Sequence, residues 1–179
     1  SSMGGFIAWL HTVLYPDGVE RLALIGASGF GHLRQQEPPF VFRLMSNPVI
    51  GPMLKNVTPR SFVASGTRAA YNNSPVIDDE LIDRYFHLLL REGNREATSQ
   101  RMRGARDYSA VERMDEISVP TLLMWGEQDA LVPVEDAKHF EAAIANTKTV
   151  IYPDLGHIPF EEAPERTMVD FRAFLNGEL

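Results

Sequence analysis

Cysteine is absent from the sequence. Disulfides, thiolate catalysis and cysteine-ligated metal sites are thereby excluded, and the absence fits a reducing compartment. Runs of lysine and arginine are also missing: 17 basic residues stand against 24 acidic ones, a formal charge of -7. Affinity for a phosphate backbone comes chiefly from clustered basic side chains, so no nucleic-acid partner is expected. No apolar run approaches the roughly 18 residues of a membrane span. The first residues also lack the basic start, apolar stretch and cleavage site of a secretory leader. These gaps support a cytoplasmic protein with no membrane span. What is present, 44% hydrophobic and 23% charged residues over 179 positions, matches one globular domain with room for an inserted subdomain.

Two kinds of segment alternate along the chain. From Met3 to about Tyr15, Phe6, Ile7, Leu10, Val13 and Leu14 recur at helical spacing, and Pro16-Asp17-Gly18 stops the element. Val19 to Gly29 is a short apolar run ending in small residues, which predicts a strand buried on both faces of a parallel sheet. The same grammar returns with a strand in Ser118 to Asp129, a helix from Val134 to Asn146, a strand within Thr147 to His157 and a closing helix from Glu161 to Leu175. Between these halves, prolines break the apolar segments. Asp79 to Arg91 and Arg95 to Arg106 predict helices, and no buried strand is evident, so a helical insertion is expected. Phe and Met residues in Phe40 to Met53 read mostly as packing within it, with some expected to face the substrate. The expected boundaries are 1–31 and 118–179 for an α/β core and 32–117 for the helical cap.

Chemistry-bearing residues lie at or beyond the C-terminal ends of the predicted strands, where open α/β sheets form their crevice. In Ser2-Met3-Gly4-Gly5, a serine sits on a tight turn into a helix, and Gly4 provides the small neighbour that such a bend requires. Gly126-Glu127-Gln128-Asp129 sets carboxylates after a strand, and Asp154-Leu155-Gly156-His157-Ile158-Pro159 holds a histidine in a loop of restricted shape. A serine hydroxyl needs an imidazole to take its proton and a carboxylate to fix the imidazole tautomer. The chain order Ser, Asp, His suits that arrangement. His11, His87 and His139 lie on predicted helices and read as surface or packing residues, while His32, at the cap entrance, is a candidate for substrate contact. Asp78-Asp79-Glu80 reads as a helix N-cap with first-turn charges, and Arg101, Arg103 and Arg106 as a solvated helix face.

These segments together resemble the C-terminal part of an α/β-hydrolase-fold serine hydrolase. SSMGG is similar to the end of the G-x-S-x-G-G nucleophile elbow, VERLALIGASGFG to the following strand, and VPTLLMWGEQDALVP and DLGHIPFEEAPE to the acid and histidine segments. The resemblance implies a parallel sheet with helices on both faces, an inserted helical cap, and cofactor-free, metal-free chemistry. It makes Ser2 the nucleophile, Asp129 the acid in preference to Glu127, His157 the base and the Met3 N–H an oxyanion-hole donor. Phe30, His32, Leu131, Val132 and Ile158 are the candidates for substrate contact. The elbow's first glycine, the strand before it and the HG-like loop that supplies a second oxyanion donor have no counterpart in this chain. The N-terminal strands are therefore expected to be missing, and the remaining half of the fold, on the same or a separate chain, is an expected partner. Serine in place of aspartate disfavours dehalogenase and epoxide hydrolase chemistry. Three readings stay open: hydrolysis of a small-molecule carboxylic ester through an acyl-enzyme, carbon–carbon bond hydrolysis of a meta-cleavage-type dienoic acid, and non-catalytic ligand binding on the hydrolase fold.

Overall fold

A computed structural model describes residues 1–33, 43, 47, 49, 50, 53, 57–103 and 108–179. Of the Phe and Met residues in Phe40 to Met53, Met53 alone is described, and it is exposed rather than packed; Arg106 also lies outside the described residues. Three parallel strands, β1 (Leu22–Ile25), β2 (Thr121–Gly126) and β3 (Thr147–Tyr152), form a sheet in the order β1-β2-β3. Leu24 pairs with Leu123 and Met124 with Val150. β2 is buried along its whole length, as a central strand with a continuous apolar run should be.

The alternation of β2 sorts the core into two layers. Leu123 and Trp125 join Trp9, Leu24, Met114 and Phe140 on one face, while Leu122 and Met124 join Tyr152, Leu155 and Phe174 on the other. The first layer is covered by α1 (Ser2–Leu14) and, later in the chain, by a helix over Glu135–Ala143. The second is covered by the helix that closes the chain. This is an α/β sandwich with helices on both faces of a parallel sheet, the fold expected from the sequence.

Local differences from that expectation have physical causes. The buried stripe of α1 is Gly5, Trp9, Thr12 and Val13, whereas Ile7 and Leu14 are exposed. Close packing is required at Gly5 rather than at Gly4. A Cβ on Gly5 would fall 2.6 Å from the Cβ of Ala27, while nothing lies within 4 Å of one on Gly4. α1 therefore approaches the loop after β1 through Gly5, and Trp9 Nε1 donates to the Ser28 carbonyl at 3.0 Å on the same side. The first strand is shorter than the Val19 to Gly29 run, because Ala27 and Phe30 are buried in a loop rather than a ladder. The closing helix divides at Ala163, whose φ of -144° is non-helical. A residue that precedes proline, here Pro164, is pushed out of the α region.

Between β1 and β2 come α2 (Arg60–Ala70), α3 (Asp79–Leu90) and α4 (Asn94–Arg103), then a 3₁₀ turn over Ser109–Glu116. Asp78 caps α3 by accepting the Leu81 N–H at 2.7 Å. Arg60 joins α2 to α3 through Asp79 and Asp83. The helix Glu135–Ala143 is α5, and α6 (Pro159–Glu162) and α7 (Pro164–Asn176) complete the chain. No helix among the described residues is long and apolar enough to cross a membrane.

Candidate active site

Ser2 opens α1 with φ at 50°. A side-chain-bearing residue rarely occupies this left-handed region, and holding it there stores about 1–3 kcal/mol of strain of the kind found at functional turns. The turn is tied down because the Ser2 carbonyl accepts the Ser28 N–H and the Ser1 carbonyl accepts the Gly5 N–H, both at 3.0 Å. The Met3 N–H, one of the first in α1, has no acceptor inside the helix and lies at the positive end of its dipole. An oxyanion beside Ser2 would meet that N–H. The Met3 side chain is 41% exposed, and Arg101 of α4 brings its Nη1 to 3.1 Å from the Met3 sulfur.

Beyond the end of β2, Asp129 turns back so that its N–H reaches the Gly126 carbonyl. Its Oδ1 accepts the Leu131 and Val132 N–H groups, each at 2.8 Å. Its Oδ2 lies 2.7 Å from His157 Nδ1, and both side chains are buried. A carboxylate held this way has one oxygen committed to the backbone and the other to the imidazole. The Nδ1 position must then carry the proton, which leaves Nε2 as the acceptor. Glu127, the competing carboxylate in the sequence, is exposed to solvent. Among the described residues no hydrogen bond joins Ser2 Oγ to the His157 ring.

Gly26, just past β1, has φ at 48° and presents bare backbone to this pair. A Cβ there would sit 3.1 Å from both Asp129 Oδ2 and His157 Nδ1. Gly26→Ala is expected to lower stability by about 1–3 kcal/mol through strain and crowding, measured by urea unfolding. The downfield Nδ1 proton resonance of His157 should shift with it.

Two further groups fix the histidine loop, and the sequence reading named neither. The His157 N–H donates to the carbonyl of Ala70, the last residue of α2, at 2.7 Å. Glu162 takes the Gly156 N–H on both carboxylate oxygens at 3.0 Å and the Ile158 N–H at 3.2 Å. The segment DLGHIPFEEAPE held Glu162 in plain view. Its position at the end of a one-turn helix, facing back over the loop, was the missing signal. Glu162→Ala would leave two N–H groups beside His157 without their acceptor, a cost of about 1–3 kcal/mol each. Desolvation pushes the Glu162 carboxyl above its ordinary value of 4.5. The native state therefore holds this proton at pH values where the unfolded chain has lost it. Its contribution to stability is full below 4.5 and declines as the pH rises past that value. Glu162→Gln is expected to remove this slope from the melting temperature recorded between about pH 4 and about pH 7.

The substrate-contact candidates are distributed unevenly. Phe30 and Val132 are buried in the core: the Phe30 ring packs on Phe140 and His139, and the Val132 carbonyl takes the Trp125 indole N–H at 2.8 Å. Leu131 packs partly buried against the same core. Ile158 is half-buried beside His157, and His32 lies in the short turn Gly31–Leu33. His11 and His87 are exposed on α1 and α3, and His139 lies on α5.

Residues 1–164 match the family model described as serine aminopeptidase, S33. The chain belongs to this family. Its relatives are α/β-hydrolase-fold serine hydrolases of several activities. The bovine (Bos taurus) monoacylglycerol lipase ABHD6 is 31% identical over 99% of the chain and 54% of its own length. The hydrolase YugF of Bacillus subtilis is 27% identical over 92% of the chain and 59% of its own. A 2-hydroxy-6-oxononadienedioate/2-hydroxy-6-oxononatrienedioate hydrolase of Cupriavidus pinatubonensis is 28% identical over 96% and 60%. Among solved structures, a serine hydrolase involved in carbazole degradation superposes with a TM-score of 0.76 at 26% identity, covering 98% of this chain and 61% of its own. The chain thus spans a little over half the length of the family members it matches.

Proposed function

We propose that the protein containing these residues hydrolyses carboxylic esters through an acyl-enzyme, with Ser2 as nucleophile, His157 as general base and acid, and Asp129 as the group that fixes the imidazole. The observation that carries this reading is the buried 2.7 Å contact between Asp129 Oδ2 and His157 Nδ1, with the other carboxylate oxygen locked by two backbone N–H groups. Nε2 is thereby set to accept a proton. Ser2 Oγ attacks the carbonyl carbon as its proton passes to Nε2, and the negative charge moves to the former carbonyl oxygen, facing the Met3 N–H. The tetrahedral adduct collapses, the alcohol leaves with the proton from Nε2, and the acyl group stays on Ser2. Water then attacks the acyl carbon, giving its proton to Nε2, and the second collapse returns that proton to Ser2 Oγ as the acid departs. The bovine relative is a monoacylglycerol lipase, which supports the ester reading.

Carbon–carbon bond hydrolysis is the second choice, supported by the 28% identity to the 2-hydroxy-6-oxononadienedioate/2-hydroxy-6-oxononatrienedioate hydrolase of Cupriavidus pinatubonensis. Turnover of p-nitrophenyl esters, measured beside turnover of a dienoic ring-cleavage acid, separates the two reactions. Fluorophosphonate labelling followed by mapping of the adduct tests the site itself. An adduct on any residue other than Ser2 overturns the assignment.

A further inference from the structure

The backbone brace on His157 comes from outside the α/β core. α2 ends at Ala70, and the chain reverses through Asn72 and Asn73, whose φ values of 47° and 53° are both left-handed. The reversal uses the carbonyls of Arg68 and Tyr71 to accept the Asn73 and Ser74 N–H groups. The Ala70 carbonyl, one of the groups that a helix end leaves without an internal donor, accepts the His157 N–H instead.

Tyr71, the next residue, is 1% exposed. Its hydroxyl donates to Glu161 Oε2 at 2.7 Å and lies 3.0 Å from the Tyr85 hydroxyl, while Tyr85 donates to Glu161 Oε1 at 3.2 Å. Arg84 of α3 closes the cluster with an ion pair to the same carboxylate. Burial raises the pKa of both phenols, so they remain protonated donors. Glu161 stands on α6, one helical turn after His157. The cluster therefore ties α2 and α3 to the element that follows the histidine.

We propose that Tyr71 and Glu161 are positioning residues for His157: they hold the last turn of α2 where the Ala70 carbonyl fixes the histidine backbone. This inference rests on the reading of His157 as the general base. The histidine is then held at three points, the ring by Asp129, the flanking N–H groups by Glu162 and its own N–H by Ala70. The third is reinforced by Tyr71 and Glu161, which among the described residues make no hydrogen bond to the imidazole ring. Small displacements of a catalytic group cost turnover while leaving binding largely intact.

The test uses the full-length protein, p-nitrophenyl butyrate as substrate, and melting temperature and the Nδ1 proton resonance of His157 as parallel readouts. Glu161→Ala is expected to lower kcat about tenfold with KM unchanged and to move the Nδ1 resonance. Glu161→Gln, which still accepts from Tyr71, should recover most of the loss. Tyr71→Phe removes a single oxygen and keeps the ring. It should resemble Glu161→Ala, and the double variant should be no worse than either single one. Unchanged kcat in Tyr71→Phe, equal kcat in Glu161→Gln and Glu161→Ala, or a loss confined to KM overturns the inference. Asp129→Asn serves as the control. Full turnover in that variant overturns the catalytic reading itself, whereas a crippled Asp129→Asn beside an unaffected Tyr71→Phe overturns the positioning role alone.

Discussion

Ser2→Ala is expected to reduce ester turnover in the full-length protein by about 10⁶-fold and to abolish fluorophosphonate labelling, with the fold retained. The loss is this large because the substitution removes the nucleophile and with it the covalent route through an acyl-enzyme. The remaining rate would come from the Met3 N–H and from binding, which persist without the nucleophile. The fold should survive because the tertiary anchors of this turn are backbone groups. Steady-state hydrolysis and circular dichroism of the same preparation check both halves. A variant that keeps more than about one hundredth of the activity would remove Ser2 from the mechanism.

The second large effect is expected from Asp129→Asn. The two N–H groups of Leu131 and Val132 demand an acceptor at the Oδ1 position, so the new amide must point its carbonyl oxygen there. Its NH₂ then faces His157 Nδ1. That nitrogen becomes an acceptor, the ring proton moves to Nε2, and the base can no longer take the serine proton. A loss of about 10⁴-fold in kcat with little change in KM is the expected result. Loss of the downfield Nδ1 resonance should accompany it. The alternative carboxylate supplies an internal control: Glu127 is exposed, and Glu127→Gln should leave kcat within about twofold of the parent.

How far the sequence could be read depended on whether the relevant information sat in a side chain. The run TLLMWG announced β2 because a central strand buries both faces and therefore tolerates no polar alternation. The order of serine, aspartate and histidine was visible, and the structure brings Asp129 and His157 into contact beyond the ends of β2 and β3. The Ala70 carbonyl could not be found in this way, since a backbone acceptor leaves no trace in residue identity. Nor could Phe30 and Val132 be sorted between a substrate crevice and the core, because an apolar loop residue suits either until the α5 rings are in place. Pro164 did carry a usable signal. It predicts the break at Ala163, within the single closing helix expected from Glu161 to Leu175. The displaced stripe on α1 has a similar origin. Periodicity sets which residues share a face, but close approach at Gly5 decides which face turns inward.

The bond from the His157 N–H to the Ala70 carbonyl bears on how such proteins can be recombined. Grafting the segment between β1 and β2 from one family member onto another is an obvious route to new substrate preferences. In this chain the end of α2 and the histidine loop meet main chain to main chain, with Tyr71 and Glu161 reinforcing the join. A graft that imports a foreign α2 without its matching residues after the histidine would exchange selectivity for a loosened base. The exchangeable unit is therefore larger than the inserted segment, and a chimera should carry residues 157–162 together with the helix that rests on them.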